Sequence, residues 1–251
     1  MAKVDVTSHG SIAVITLNQP GKRNAMTDEM WRSIPGIMRR LDADDDVTAI
    51  VLTGAGEVFC AGSDIGGLDE LGHAESPINA ELAIARSPKP VIAAIEGPCY
   101  GGGLEMAVAC DLRVAGQSAS FSVPPAKLGI VYPVSATQRM IDLMGPSVTK
   151  EMLFTAAQLD ADRALAVGLI NRVVAAGEAL STALNLGEQM AGLSQLTLRA
   201  SKEIVDGLVA RDLSAETAIA WVARAATGPD LAEGKRAFIE RRRPRFTWRP
   251  D

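Results

Sequence analysis

The stretch that most constrains the fold of this chain is an apolar run that leads into a glycine-rich turn. The run Val91–Ile95 contains only apolar residues, which is typical of a buried strand. Gly101-Gly102-Gly103 then opens a second apolar segment, typical of a short buried helix. Because the first turn of a helix has unpaired N–H groups and glycine carries no Cβ, this turn predicts a site for an oxyanion. Glu105 follows in the first helical turn, where it either faces that site or caps the helix.

The composition indicates one large globular domain, or one domain with an appendage. The chain has 251 residues, 47% of them hydrophobic, and a net charge of −5, a balance that does not favour nucleic acid. Three cysteines show no paired framework and two histidines lie far apart, so we expect free thiols, no metal site and a reducing, cytoplasmic location. No apolar run has the length of a signal core or a membrane span, so we expect no membrane association.

Strand and helix patterns alternate in the first half of the chain, and the last quarter is helical, which favours α/β layers with a helical appendage. Segment 124–133 is expected to be a rigid connection, and segment 66–77 a mobile loop or short helix that acts as a lid. Apolar runs predict strands at 4–7, 12–17, 48–53, 91–95, 112–115, 120–123 and 173–174. Apolar spacings of three and four predict helices at 27–41 (with a kink at Pro35), 78–85, 104–109, 137–144, 147–155, 161–167, 179–193, 196–210, 214–226 and 230–243.

A second glycine turn, Phe59-Cys-Ala-Gly-Ser-Asp-Ile65, follows another predicted strand. Together with the first turn, Arg23-Asn24-Ala25, Thr137-Gln138-Arg139 and segments 121–129 and 233–242, it resembles the enoyl-CoA hydratase/isomerase (crotonase) superfamily over nearly the whole chain. The resemblance implies an α/β fold with a crotonase-like β-β-α spiral core at residues 1–194 and a C-terminal helical trimerisation region at 195–251. It further implies a role in fatty acid metabolism, an acyl-CoA thioester as substrate, no cofactor besides the coenzyme A that the substrate carries, and a homotrimer or a dimer of trimers.

By the same resemblance, the catalytic groups include the backbone N–H groups of Ser63 and Gly102, which form an oxyanion hole, and the side chain of Glu105. Two fixed donors in a dry site stabilise the charge that collects on a thioester oxygen in an enolate. Cations suit a phosphate-rich ligand, which agrees with Arg241 in an otherwise acidic chain, whereas the two arginines after it are typical of a solvated helix end. The coenzyme A contacts that the family implies are Lys22 or Arg23, Ala25, Ala61, Ser63, Asp64 and Ile65, with Phe238 and Arg241 reaching coenzyme A from a neighbouring subunit.

The chain departs from the hydratase pattern at Pro125, which stands where hydratases of this family carry their second glutamate. Proline can neither donate nor accept a proton, so we do not expect ordinary addition of water by two carboxylates. No Asp or Glu lies between Asp111 and Asp142 to take its place.

Three activities stay open on the sequence. The family's methylmalonyl-CoA decarboxylases also carry proline here, with a nearby tyrosine that Tyr132 matches, although they have a histidine where this chain has Ser63. The phenol of Tyr132 would orient the departing carboxylate or support protonation of the enolate; the alternative is an aromatic side chain packed under the acyl pocket. An isomerase needs a single base, which Glu105 would supply if its apolar neighbours raise its pKa. The third possibility is a protein that binds acyl-CoA without turnover.

Overall fold

The computed structural model describes residues 2–64, 66 and 75–249 of the chain. Its strands are β1 (Lys3–His9), β2 (Ile12–Asn18), β3 (Ala49–Gly54), β4 (Val91–Ile95), β5 (Pro98–Tyr100), β6 (Leu112–Gly116), β7 (Ser120–Ser122), β8 (Gln158–Asp160) and β9 (Arg172–Val174). Its helices are α1 (Asp28–Asp42), α2 (Glu75–Ala85), α3 (Gly102–Ala109), α4 (Pro125–Leu128), α5 (Val134–Thr155), α6 (Ala161–Ala166), α7 (Ala179–Ala191), α8 (Gln195–Ala210), α9 (Ala215–Thr227) and α10 (Pro229–Glu240). A 3₁₀ turn lies at Pro20–Lys22.

A six-stranded sheet in the order β1-β2-β3-β4-β6-β9 forms the centre of the fold. Strands β1 and β2 pair antiparallel, and the later neighbours pair in parallel. Because successive side chains of a strand point to opposite faces, the sheet has two cores. Val14 and Val51 pack with residues of α7, whereas Ile15 and Leu52 pack with residues of α1, α2 and α3. Burial on both faces explains why central strand β4 is a continuous apolar run.

The order strand, strand, helix occurs twice in succession, first as β4, β5 and α3 and then as β6, β7 and α4. The first strand of each unit belongs to the six-stranded sheet, and the second belongs to a three-stranded sheet in the order β5-β7-β8. This repeated unit is the predicted β-β-α arrangement. It places the start of α3, with its three glycines, directly after β5.

The structure corrects several of the predicted elements. Segment 124–133, expected to be a rigid connection, contains α4, and Pro125 opens this helix at a position where its missing N–H has no helical partner to lose. The helices expected at 137–144 and 147–155 are confirmed as two helical stretches of α5, separated by the non-helical Gly145 (φ 77°), but the first stretch begins earlier than expected, at Val134. Helix α10 ends at Glu240 rather than at residue 243, because Arg241 adopts the left-handed conformation that closes it.

Three further details complete this comparison. Strands β5 and β8, each of three residues, are absent from the predicted set because they are too short to show a periodic pattern. Pro35 lies inside α1 without ending it. The predicted lid at 66–77 falls mainly on residues 67–74, which lie outside the described residues, and its last three residues belong to α2.

Two carboxylates of α10 hold the C-terminal tail against the helical region. Asp230 accepts hydrogen bonds from Ser194 Oγ (2.6 Å) and from the backbone N–H groups of Thr247 and Trp248. Glu233 accepts from Arg242 Nη1 at 2.6 Å. The same region exposes large apolar side chains at Val205, Leu208, Val209, Ile219, Val222, Leu231, Phe238 and Ile239. In the part of the chain that the structure describes, no helix combines the length and the apolar character needed to cross a membrane. The division of the chain at residue 195 stays a prediction.

Candidate active site

The two glycine turns predicted from the sequence lie side by side. Cys60 forms a parallel bridge with Cys99, in which Cys60 N–H donates to Pro98 O (3.0 Å) and Tyr100 N–H donates to Cys60 O (2.9 Å). Gly103 packs so closely on this bridge that a Cβ there would lie 2.5 Å from Cys60 O. A side chain at this position would therefore push the two turns apart, which explains why the sequence has glycine there.

The backbone N–H groups of Ser63 and Gly102 are both unused within the described residues. Ser63 and Met26 form a parallel β-bridge, in which Met26 N–H donates to Gly62 O and Asp64 N–H donates to Met26 O. The N–H of Ser63 itself takes no part in this bridge. Gly102 is the first residue of α3, and the backbone N–H of a first helical residue has no acceptor within the helix. A Cβ on Gly102 would lie 3.3 Å from Ser63 Oγ, so the two residues are neighbours. Unpaired N–H donors at a helix start can hold a negatively charged oxygen.

Glu105 is buried in the first turn of α3, three residues after Gly102. The residue is only 3% exposed, and its Oε1 atom has no hydrogen-bond partner in the described part of the chain. Burial, followed by the negative charge of Glu81, raises the pKa of Glu105 to about 8. This raised pKa favours the protonated carboxyl group near neutral pH. A capping role is not observed, because no side-chain cap hydrogen bond is present at the start of α3.

Tyr132 acts on the same turn through a carbonyl group. Its hydroxyl donates to Gly101 O at 2.9 Å, and the backbone N–H of Glu105 donates to the same oxygen at 3.0 Å. Burial, with the charge of Glu105 next in size, raises the pKa of Tyr132 well above its usual value, so the phenol remains a donor. Gly101 O belongs to the same peptide group as the N–H of Gly102. Pro125, by contrast, is buried at the start of α4 and brings no proton-transferring group.

A second carboxylate, which sequence reasoning missed, lies close to Glu105. Glu81 of α2 is fully buried and accepts hydrogen bonds from Ser135 Oγ and from Arg139 Nε, the latter at 2.8 Å. The search for a replacement of the second glutamate covered only the chain between Asp111 and Asp142, whereas Glu81 comes from a helix that precedes β4. A signal was present in the sequence, because this carboxylate interrupts the apolar face of a predicted helix.

Trp31 is a further neighbour that the sequence did not single out. Its ring atom Cζ2 would lie 2.7 Å from a Cβ on Gly102, and its Nε1 is buried without a partner among the described residues. Buried polar atoms are usually paired, so an unpaired indole N–H here and an unpaired Glu105 Oε1 are consistent with a site that a ligand completes.

The structure also brings together the two loops predicted to contact coenzyme A. Ala61 N–H donates to Arg23 O at 3.0 Å, and Lys22 Nζ pairs with Asp64 Oδ2 at 2.6 Å. Ala25 follows Arg23 by two residues and is buried, and its carbonyl oxygen accepts a hydrogen bond from Gln19 Nε2. The hydrogen bond from Lys22, the largest of several effects, lowers the pKa of Asp64. Ile65 lies outside the described residues.

The two C-terminal residues predicted to reach coenzyme A stand apart from these loops. Phe238 is 86% exposed on α10, and Arg241 closes that helix. No hydrogen bond or ion pair among the described residues of one chain joins either residue to the coenzyme A loops. Arg242, expected to be a solvated helix end, instead pairs with Glu233.

Comparisons with known proteins agree on one family. The family model described as enoyl-CoA hydratase/isomerase matches residues 7–249. A Thermus thermophilus protein with the provisional name enoyl-CoA hydratase is 38% identical over 252 residues, which cover 94% of this chain and 98% of that protein. The short-chain-enoyl-CoA hydratase of Clostridium acetobutylicum is 33% identical over 251 residues, with 96% and 95% covered. The crystal structure of a Hyphomonas neptunium protein, provisionally assigned to the enoyl-CoA hydratase/isomerase family, aligns with a TM-score of 0.93 at 38% identity over 98% of both chains.

Proposed function

This chain belongs to the enoyl-CoA hydratase/isomerase (crotonase) superfamily, and we propose that it is an enzyme that stabilises the enolate of an acyl-CoA thioester. The observation that carries the proposal is that Ser63 and Gly102 are neighbours and that neither backbone N–H has a partner among the described residues. An enolate places its negative charge on the thioester oxygen, and two preorganised donors in a site shielded from water stabilise that charge by several kcal/mol.

Glu105 is the proton-transferring group in this proposal. In its carboxylate form, which a pKa of about 8 favours at alkaline pH, it takes a proton from the carbon next to the thioester carbonyl, and the C–H electrons pass into the enolate. Return of the proton two carbons away shifts the double bond, which is isomerisation with a single acid/base residue. Ordinary hydration, which in this family uses two glutamates, is expected to be weak or absent because Pro125 occupies the second position.

Decarboxylation of a malonyl-type CoA is a second candidate, favoured by the protonated state of Glu105. Loss of CO2 leaves the electrons of the broken C–C bond in the enolate, so this reaction requires an oxyanion hole but no base. The enolate carbon then needs a proton, which a carboxyl group with a pKa of about 8 still carries at neutral pH. A third candidate is a protein that retained the hole and only binds acyl-CoA; any turnover that depends on Glu105 would exclude it.

Tyr132 supports each of these reactions through the backbone rather than by contact with a carboxylate. Its hydroxyl is already bound to Gly101 O, and a donor on a carbonyl oxygen polarises the peptide group and strengthens the N–H at its other end. That N–H is the one of Gly102. The tyrosine is therefore a positioning residue for the oxyanion hole in this proposal.

Binding of the coenzyme A portion is assigned to the two loops that contain Lys22, Arg23 and Ala25 on one side and Ala61, Ser63, Asp64 and Ile65 on the other. We further propose a homotrimer or a dimer of trimers, in which Phe238 and Arg241 of one subunit reach the coenzyme A of the next. The exposed apolar side chains of the C-terminal helices support this assembly, since contact between subunits would remove them from water. The cytoplasmic location remains part of the proposal and agrees with three buried free cysteines.

A panel of acyl-CoA thioesters, analysed by mass spectrometry, tests the proposed function. The panel contains 2-enoyl, 3-enoyl and malonyl-type compounds, incubated with the unaltered protein, Glu105→Ala and Tyr132→Phe. We expect isomerisation or CO2 release that Glu105→Ala abolishes and Tyr132→Phe weakens. Robust hydration of a short 2-enoyl-CoA, lost in Glu105→Ala, would overturn the expectation drawn from Pro125.

A further inference from the structure

We propose that Glu81 is a positioning residue of this site, whose buried negative charge helps Glu105 to keep its proton. The inference rests on the proposed role of Glu105 but concerns a residue that the family resemblance does not place in the site. Glu81 is fully buried, and both of its carboxylate oxygens are held, one by Ser135 and the other by Arg139. Fixed by two partners, it presents a stationary charge to its surroundings.

One short segment of the chain connects Glu81 to the start of the helix that carries Glu105. Tyr132 donates to Gly101 O, which also accepts the backbone N–H of Glu105. Ser135, three residues after Tyr132, donates to Glu81. Three residues span at most about 11 Å of extended chain, so one short segment touches both the oxyanion turn and the second carboxylate.

The packing of the helices is a second observation that places Glu81 on an element in contact with α3. Helix α3, which carries Glu105, packs against α2 and against α5. Glu81 lies on α2 and its partner Arg139 on α5, so the ion pair joins the two helices that flank α3. The Arg139 side chain is partly exposed, whereas that of Glu81 is not, so the anion is the inner member of the pair.

The other titratable groups around α3 do not offer the same control. Tyr132 and Arg139 approach from α5 and the turn before it, Cys99 and Tyr100 from β5, and Arg113 from β6. Arg113 binds the carbonyl oxygens of Ala107 and Cys110 at the far end of α3. Burial raises the pKa of the Cys99 thiol well above its usual value, and that of Tyr132 likewise, so both stay neutral. Among these groups Glu81 alone carries a fixed negative charge.

A fixed anion next to Glu105 has a direct chemical consequence. Burial and, after it, the negative charge of Glu81 let Glu105 hold its proton up to about pH 8, so that it can deliver the proton to an enolate carbon. Where one of two neighbouring carboxyl groups is protonated and the other is charged, the protonated one usually acts as the proton donor. In this chain the donor would be Glu105, and the charged neighbour would come from α2 rather than from the segment around Pro125.

Infrared titration of the Glu105 carboxyl tests this inference without any substrate. A protonated buried carboxyl has its own C=O stretching band, and the band that disappears in Glu105→Gln belongs to this residue. Neutralising the anion with Glu81→Gln should move the midpoint of that band downward by about one pH unit, since burial is the larger cause of the raised pKa. Glu81→Asp keeps the charge and should restore a midpoint near that of the unaltered protein. Glu75→Gln, at the exposed start of the same helix, is the matched control and should leave the midpoint unchanged.

The result that overturns the inference is an unchanged midpoint in Glu81→Gln. If that variant does not fold because Arg139 has lost its partner, the double variant Glu81→Gln/Arg139→Gln decides. It leaves no unpaired buried charge, and the downward shift should persist at reduced size, since a nearby cation is lost as well. An unchanged midpoint there would equally overturn the inference. Because the titration needs no turnover, its outcome is separate from that of the acyl-CoA panel.

Discussion

At the scale of single residues, Gly102 meets two demands that other residues cannot meet together. It supplies an unpaired N–H at the start of α3, and its missing side chain leaves room for Trp31 and Ser63. Any Cβ at this position would lie 2.7 Å from a carbon of the Trp31 ring, which is closer than carbon atoms approach without displacement. The donor and the packing of its surroundings therefore depend on the same glycine.

Gly102→Ala should lower kcat by about a hundredfold or more, the usual effect of losing one donor of an oxyanion hole. The added methyl group displaces either Trp31 or the turn that carries the N–H. Steady-state kinetics on the best substrate of the acyl-CoA panel measure the effect. Gly36→Ala is the matched control, because a Cβ there meets only the Arg39 side chain at 3.8 Å, and it should retain full activity. A Gly102→Ala variant with unaltered kcat would argue against the hole.

Tyr132→Phe should reduce kcat about tenfold while KM changes little. The variant removes a hydrogen bond worth about 1 kcal/mol, and the polarised peptide matters most when the enolate charge has formed. The carbonyl stretch of a bound acyl-CoA thioester provides a second measurement, since a weaker donor at Gly102 shifts it toward the frequency in water. An unchanged stretch together with unchanged kcat would confine Tyr132 to packing.

Glu105→Gln should change how stability depends on pH. Between pH 4.5 and about 8 an unfolded chain has released this proton while the folded chain keeps it, so the free energy of unfolding falls as pH rises through this window. At about 1.4 kcal/mol per pH unit the loss is on the order of a few kcal/mol. Glutamine has no such proton, so the variant should gain stability relative to the unaltered protein as pH rises from 5 to 8. Urea unfolding at several pH values measures this, and parallel pH profiles for the two proteins would contradict it.

At the scale of secondary-structure elements, the long apolar elements were predictable and the short ones were not. Strand β4 and helix α1 were found because burial demands a clear apolar pattern over many residues. Strand β5 and helix α4 have three and four residues, so backbone pairing and a proline start define them rather than any periodicity. The end of α10 depends on the left-handed conformation of Arg241, a non-glycine residue, which the sequence does not signal.

The attachment of the C-terminal tail to α10 yields a prediction at this scale. Glu233 accepts hydrogen bonds from Arg236, from Arg242 and from the backbone N–H of Arg245, and the bond from Arg242 is the largest cause of its lowered pKa. Glu233→Gln should release the tail and make it cleavable by trypsin at concentrations that leave the unaltered protein intact. Glu216→Gln, an exposed carboxylate on α9, serves as the control. Equal cleavage of all three proteins would show that Glu233 does not hold the tail.

At the scale of the whole molecule, the sequence predicted the fold class and the meeting of the two turns, but not the second carboxylate. The turns carry family motifs that can be matched residue by residue; one follows β3 of the six-stranded sheet, and the other follows β5 of the three-stranded sheet. Glu81 lies 24 positions before Glu105 in a different helix, and its pairing with Arg139 spans 58 positions. Only the packing of α2, α3 and α5 brings these residues together, so spacing along the chain could not reveal the contact.

Assembly provides the prediction that belongs to the whole molecule. If subunits cover the apolar side chains of α9 and α10, sedimentation should give three or six times the 26.4 kDa of one chain. Phe238→Glu places a charge at the most exposed of these side chains and should shift the distribution toward monomer. Lys235→Glu, an exposed polar position on the same helix, should leave the assembly intact. A monomeric unaltered protein would contradict the proposed trimer.

The central claim is that this protein makes a thioester enolate at Ser63 and Gly102 with Glu105 as the proton-transferring group. Deuterium exchange tests it most directly, because an enolate formed in D2O takes up deuterium at the carbon next to the thioester even when no net reaction follows. Mass spectrometry of a saturated acyl-CoA and of a malonyl-type CoA after incubation measures this uptake. We predict deuterium in the recovered thioester or in its decarboxylated product, lost in Glu105→Gln and strongly reduced in Gly102→Ala. Undisturbed hydrogen content in every compound, from a protein that binds coenzyme A thioesters, would contradict the claim.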